Sequence, residues 1–167
     1  MGHFSQNQNY TIHPHSGSFQ SFTTPRDGIL KRVAMRLQES GADPAIVRLS
    51  VFNDSNNTPD FTKQLAEKTL TFGSPDPTGE VTFTFDNPTS VAMQHRYWLM
   101  LDIAGYQYDN RNFFWNSWQN AVASGDPYPD GFYGMGTGRG IHGSCDGICS
   151  FSASDTGADW YMKIELE

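Results

Sequence analysis

The sequence predicts an all-β protein, an antiparallel sandwich of two sheets, and three observations support this fold class. Apolar and polar residues alternate in several short segments, as they do in half-buried strands. These segments are separated by turn sequences, and the 167 residues include 16 Gly and 9 Pro. Charged residues make up 17% of the chain, against about a quarter in ordinary globular proteins, which disfavours solvated helices.

The first half of the chain contains four predicted strands separated by turns. They comprise residues 10–13, 19–24, 29–37 and 47–52. In the third, alternation predicts an apolar face formed by Ile29, Val33, Met35 and Leu37, opposite Arg32 and Arg36. In the fourth, it predicts an apolar face formed by Val47, Leu49 and Val51. Residues 53–59 consist of Asn, Asp, Ser, Thr and Pro, and we expect a loop there.

The second half contains four further strands and one ambiguous segment. Residues 62–72 are compatible with a helical turn that leads into a strand, and residues 73–79 predict a loop. Residues 81–85 alternate strongly, and we expect Asn87-Pro88 to end that strand. Residues 96–103 should place Leu99 and Leu101 on one face and Trp98, Met100 and Asp102 on the other. Residues 112–116 and 160–166 complete the set.

Length and charge limit the classes of protein to which the chain can belong. We expect residues 1–167 to form one domain, with residues 1–8 flexible or derived from expression. The net charge is −7 and the 11 basic residues form no stripe, so we expect no nucleic-acid partner. No apolar run approaches the ~20 residues of a membrane span, and we expect no membrane insertion. We expect a monomer.

Residues 112–140 carry the strongest functional signal, because large aromatic side chains stand there among Asn, Gly, Asp and Pro. Rings with a polar edge stack on ligands, and the candidates are Trp115, Trp118, Tyr128 and Tyr133. Polar neighbours that can bond ligand hydroxyls are Asn116, Gln119 and Asp130. On a strand Trp115 and Trp118 would face opposite ways, and on a loop they can converge. The alternative is that these rings plug one end of the sandwich.

The two cysteines, Cys145 and Cys149, lie four residues apart between glycines. A disulfide closing this short loop is feasible, and it would imply an oxidising compartment. The alternative is a metal or redox pair, although the only nearby additional ligand is His142 and the spacing differs from that of thiol oxidoreductases. We favour the disulfide.

Asp155 and Asp159 flank a glycine just before the last strand and are candidate ligands for a structural Ca²⁺. Asp54 is a further candidate, in the loop at residues 53–59. None of these residues has the spacing of a known calcium motif. The alternative is that they form turns, which aspartates commonly do.

Three segments follow one another in a familiar order: residues 18–38 (SFQSFTTPRDGILKRVAMRLQ), 45–54 (AIVRLSVFND) and 81–101 (VTFTFDNPTSVAMQHRYWLML). A Tyr- and Gly-rich stretch at 128–134 and a closing strand beginning at Asp159 come after them. This order resembles the jelly-roll modules of bacterial secreted and surface proteins. The departure is Gln94-His95, where the pattern favours Pro-Gly. The resemblance implies a jelly-roll sandwich from an exported protein of several domains, located outside the cell or on its surface.

Many modules of this kind are non-catalytic, and the resemblance implies a carbohydrate-binding module that holds polysaccharide or glycan by aromatic stacking. One alternative is a structural or adhesive module whose aromatic segment is a protein interface. The other is a small polysaccharide lyase or hydrolase of jelly-roll type. For that activity Asp102 is the candidate within a strand, and the fold would have to bring Asp109, Glu165 or His95 beside it.

Overall fold

The computed structural model describes residues 9–12, 16–40, 45–72, 79–103, 112–119, 133–137, 150–154, 158–160 and 162–167. These residues form twelve strands and no helix, which confirms the predicted all-β class. The strands are β1 (Asn9–Ile12), β2 (Ser16–Thr23), β3 (Gly28–Ser40), β4 (Ala45–Asp54), β5 (Pro59–Phe72), β6 (Gly79–Val91), β7 (Arg96–Ile103), β8 (Asn112–Gln119), β9 (Tyr133–Thr137), β10 (Ser150–Ser154), β11 (Ala158–Trp160) and β12 (Met162–Leu166). No helix in the described parts of the chain has the length and apolar character needed to cross a membrane.

The strands form two six-stranded sheets with antiparallel pairing throughout the described residues. The back sheet has the order β10-β9-β2-β7-β4-β5. The front sheet is built on β3, which has β6 along one edge. The other edge of β3 is shared, because Met35 pairs with Met162 of β12 and Leu37 pairs with Trp115 of β8. β8 also pairs with β1 and β11.

The main core lies between the two sheets and is largely apolar, with Ser18 and Gln20 of β2 also fully buried on this face. The front sheet contributes Leu30, Val33, Met35, Leu37, Val81, Phe83, Phe85, Val91 and Met162. The back sheet contributes Phe22, Val47, Leu49, Val51, Ala66, Phe72, Tyr97, Leu99 and Leu101. These residues alternate along their strands, so the period-two pattern in the sequence identifies most of the core.

The outer face of the back sheet carries a second buried cluster, formed by Phe19, Phe52, Trp98 and Met100. The Phe61 ring packs edge-on against Phe19 and Phe52, with ring centroids 5.9 and 5.5 Å apart. The central strands β4 and β7 are therefore buried on both faces. The near-continuous apolar run of β7 is typical of strands in that environment.

The predicted core face of β3 is wrong at one position. Ile29 is 45% exposed, and Leu30 is buried in its place. The reason is a bulge: Leu30 pairs with Thr89 of β6, whereas Arg32 pairs with Thr84. An irregularity in the pairing reverses the alternation, so residues before it face the opposite way from the simple pattern.

A second prediction about strands is wrong. Asn87-Pro88 does not end the strand, since β6 continues to Val91. Residues 85–88 lie within the irregularity opposite Lys31, where proline does not have to donate a ladder hydrogen bond. The ambiguity left open at residues 62–72 is resolved as strand, because β5 extends over Pro59–Phe72 and pairs with β4, with irregularities near Phe52. Backbone pairing with a buried neighbour outweighs the weak local preference for helix.

Candidate functional site

The predicted ligand-binding residues are distributed over both sheets. Trp115, Asn116, Trp118 and Gln119 lie on β8 in the front sheet, and Tyr133 begins β9 in the back sheet. Asp159 lies in β11. The remaining members of the predicted set lie outside the described residues: Tyr128, Asp130, Asp155, Cys145 and Cys149. The predicted disulfide and half of the predicted calcium pair therefore stay predictions.

β8 includes both tryptophans, so they belong to opposite faces of one strand. Position 115 is directly opposite Leu37, a core residue that is 2% exposed. Position 118 is directly opposite Asp159 of β11. Register thus separates the two: position 115 shares a face with the core, and position 118 belongs to the outer face of the strand.

β8, β11 and β9 meet at one place in the fold, which we call the aromatic corner and define by Trp118, Gln119, Tyr133, Ala158 and Asp159. β8 ends at Gln119, opposite Ala158, and β9 begins at Tyr133, opposite Ser154. β11 also contacts β9. The described residues on either side of 120–132 and 155–157 are paired, Gln119 with Ala158 and Tyr133 with Ser154. The topology therefore brings the predicted aromatic residue Trp118 close to the predicted carboxylate residue Asp159, and β11 close to β9.

Asp102, the catalytic candidate, pairs with Arg48 on the outer face of the back sheet. Arg48 Nε donates to Asp102 Oδ1 at 2.9 Å, and Arg48 Nη2 donates to Asp102 Oδ2. The two side chains are only 17% and 4% exposed. The hydrogen bonds to Asp102 raise the pKa of Arg48, and burial opposes this effect. Both carboxylate oxygens of Asp102 thus accept hydrogen bonds from the positively charged guanidinium of Arg48.

The three partners considered for Asp102 are not the ones the structure provides. His95 Nε2 lies 2.8 Å from Asn53 Oδ1, and Glu165 Oε1 lies 3.4 Å from Arg32 Nη1. Asp109 lies outside the described residues. Arg48 was missed because alternation places it on a face that looks solvent-exposed. The signal that identifies it is cross-strand register, since Arg48 and Asp102 are directly opposite each other.

Both carboxylate oxygens of Asp54, the further calcium candidate, accept hydrogen bonds from the protein itself. Its Oδ1 accepts from Trp98 Nε1 at 2.7 Å, and its Oδ2 accepts from the Asn57 backbone N–H at 3.3 Å. This arrangement gives the buried indole its partner and stabilises the turn in which Asn56 and Asn57 have φ of 54° and 64°. In the described parts of the chain, His, Cys, Asp and Glu form no group of three that would hold a metal ion.

Comparison with models of known protein families finds no match, and comparison with curated proteins finds none either. What the protein does has therefore to be inferred from its own residues and their placement. Two places carry the chemistry: the aromatic corner, and the buried Arg48–Asp102 pair.

Proposed function

We propose that the chain is a non-catalytic carbohydrate-binding module of jelly-roll type from an exported bacterial protein, and that it binds glycan at the aromatic corner. The observation that carries the proposal is the convergence of independently predicted residues. Trp118 and Asp159 are cross-strand partners, and the strand that carries Asp159 contacts the strand that begins with Tyr133. Flat rings beside carboxylate and amide groups are what a sugar needs, because its C–H face stacks and its hydroxyls bond.

The Arg48–Asp102 pair argues against the lyase or hydrolase alternative. A general acid or base must reach the substrate and exchange its proton near the working pH. Asp102 is almost fully buried, and Arg48 engages both of its oxygens. Such a carboxylate orients strands instead of transferring protons. Asp102 therefore gives no support to catalysis.

The structural or adhesive alternative uses the same corner as a protein interface. It differs from the proposal in the partner, so a binding experiment separates the two. Affinity electrophoresis in gels that contain single soluble polysaccharides is the direct test. We expect retarded migration in at least one gel, and no reducing ends or unsaturated products from the purified protein.

The decisive variant is Trp118→Ala, and Trp115→Ala is its matched control. Losing one stacking ring should weaken retention about fivefold or more. Trp115 shares the face of Leu37, so its removal should lower stability and leave retention by the folded protein unchanged. If Trp118→Ala, Trp115→Ala and Tyr133→Ala all bind as the parent does, the aromatic corner is not the glycan site. Retention by no polysaccharide, together with self-association or capture of a neighbouring domain, would favour the interface.

A further inference from the structure

A second site lies away from the aromatic corner, in a cleft of about 410 Å³ between the end of β2 and β12. The cleft lies where β12 and the end of β2 each have an edge without a described strand beside it. β9 pairs with β2 only between Ser16 and Gln20, so the following residues of β2 have no described strand beside them on that edge. β12 borders β3 along one edge and faces the cleft with its other side.

The cleft has an apolar floor. Ile164 and Leu166 are half-buried and pack against the main core, and both line the cleft beside Phe22. Phe22 is 2% exposed, so it contributes little more than an edge and offers no ring face for a sugar. An apolar body of small size suits this floor, because it would cover Ile164 and Leu166 and gain from their burial.

One cation at the rim of the cleft lacks an acidic partner. Arg26 is exposed, its Nη2 donates to the Leu166 carbonyl at 2.8 Å, and it pairs with no carboxylate of the described residues. Glu165 also lines the cleft, and its carboxylate pairs with Arg32 at 3.4 Å. Glu167 pairs with Lys31 at 2.5 Å, and Asp27 accepts from the Met93 backbone N–H at 2.6 Å. The remaining donors of the Arg26 guanidinium therefore carry a charge that suits an anion.

We propose that this cleft binds a small amphipathic carboxylate. Its apolar body lies on Phe22, Ile164 and Leu166, and its carboxylate accepts hydrogen bonds from Arg26. The volume is within the range of small-molecule sites, about 300–1,000 Å³. A guanidinium suits a carboxylate, because the two planar groups can form parallel hydrogen bonds, and the apolar floor favours a carboxylate that carries an apolar body. The site is separate from the glycan corner and does not depend on it.

The test uses a matched pair of fluorescent probes on the whole protein, 9-anthracenecarboxylate and the neutral 9-anthracenemethanol. We expect the carboxylate to bind, and Arg26→Gln to weaken it about tenfold while the alcohol is unaffected. The control is Arg36→Gln, which removes an equal charge from β3 at a residue that does not line the cleft. It should leave both affinities unchanged.

A second variant tests the location independently of charge. Ile164→Trp fills the cleft from a half-buried residue of its floor and should abolish binding of both probes. Circular dichroism and thermal melting verify that each variant is folded. The proposal is wrong if the parent binds neither probe, if Arg26→Gln and Arg36→Gln weaken the carboxylate equally, or if Ile164→Trp leaves binding intact.

Discussion

The Arg48–Asp102 pair shows how a partner side chain can decide whether a carboxylate is catalytic or structural. Asp102 in isolation resembles a catalytic acid within a strand, and its register partner turns it into a structural anion. Taking two charges out of water is costly, and the pair compensates through two charge-assisted hydrogen bonds. Removing one partner should therefore cost more stability than removing both, because a single replacement leaves the other charge buried and unpaired.

Replacing Arg48 by Met should therefore destabilise the protein by about 3 kcal/mol, because Asp102 keeps its buried charge without a partner. The free energy of unfolding from urea titration measures the loss. The double variant Arg48→Met with Asp102→Leu should recover most of it, since both charges are gone and the space stays filled. A double variant as unstable as the sum of the two single ones would contradict the pairing.

Asp60 should make the folded protein less stable as the pH falls into the acid range. The Thr62 hydroxyl donates to Asp60 Oδ1 at 2.6 Å, and this bond is the main reason that the pKa of Asp60 lies below its ordinary value. The folded protein binds this proton less readily than the unfolded chain, so the ionised group stabilises the fold at neutral pH. That contribution is lost as the pH falls below about 4 and passes through the lowered pKa.

Asp60→Asn should accordingly flatten the acid limb of stability against pH. Unfolding by urea at a series of pH values, parent beside variant, measures the difference. Thr62→Val is the matched change on the donor side, and it should remove part of the same dependence. An Asp60→Asn variant whose acid limb superimposes on that of the parent would show that Asp60 contributes nothing.

At the scale of elements, the turn between β6 and β7 contains a residue in an unfavourable conformation. Gln94 has φ of 60°, in the left-handed region where side chains other than glycine are disfavoured. The turn is held by the Gln94 N–H, which donates to the Thr24 carbonyl at 2.9 Å, and it therefore tolerates the strain.

Gln94→Gly should stabilise the protein by up to about 1 kcal/mol, because relief of the left-handed strain exceeds the added entropy of the unfolded glycine. Thermal melting followed by circular dichroism measures it as a rise in Tm. Gln94→Ala keeps a Cβ at the same φ and serves as the control, with no comparable gain expected. A lower Tm for Gln94→Gly would mean that the side chain makes a contact worth more than the strain.

Most strands were predictable from the sequence, and the errors at Ile29 and Pro88 have one physical cause. Alternation identifies β7 and the apolar faces of β4 and β6, because each position of a strand reports the burial of its face. It fails at Ile29 and at Pro88, where the pairing irregularity between β3 and β6 changes the phase. Bulges depend on the partner strand, and a single segment carries no signal for them.

The site was less predictable than the fold, for a related reason. The ring-rich composition pointed to residues 112–140, yet only pairing tells that Trp118 is opposite Asp159 and Trp115 is opposite Leu37. Likewise, the sequence offers Arg26 as one more surface cation. Its position at the mouth of a cleft follows from where β9 stops pairing with β2. Both sites depend on contacts between residues distant in sequence.

At the scale of the whole molecule, β7 is the most enclosed strand described. β2 and β4 pair with its two edges, and buried side chains cover both of its faces. Its backbone amides can meet water only if the sandwich separates. Hydrogen–deuterium exchange at residues 97–101 should therefore proceed by global unfolding alone, and should be the slowest in the chain. The exchange rates of those amides would then give the global free energy of unfolding of any variant under native conditions, without denaturant.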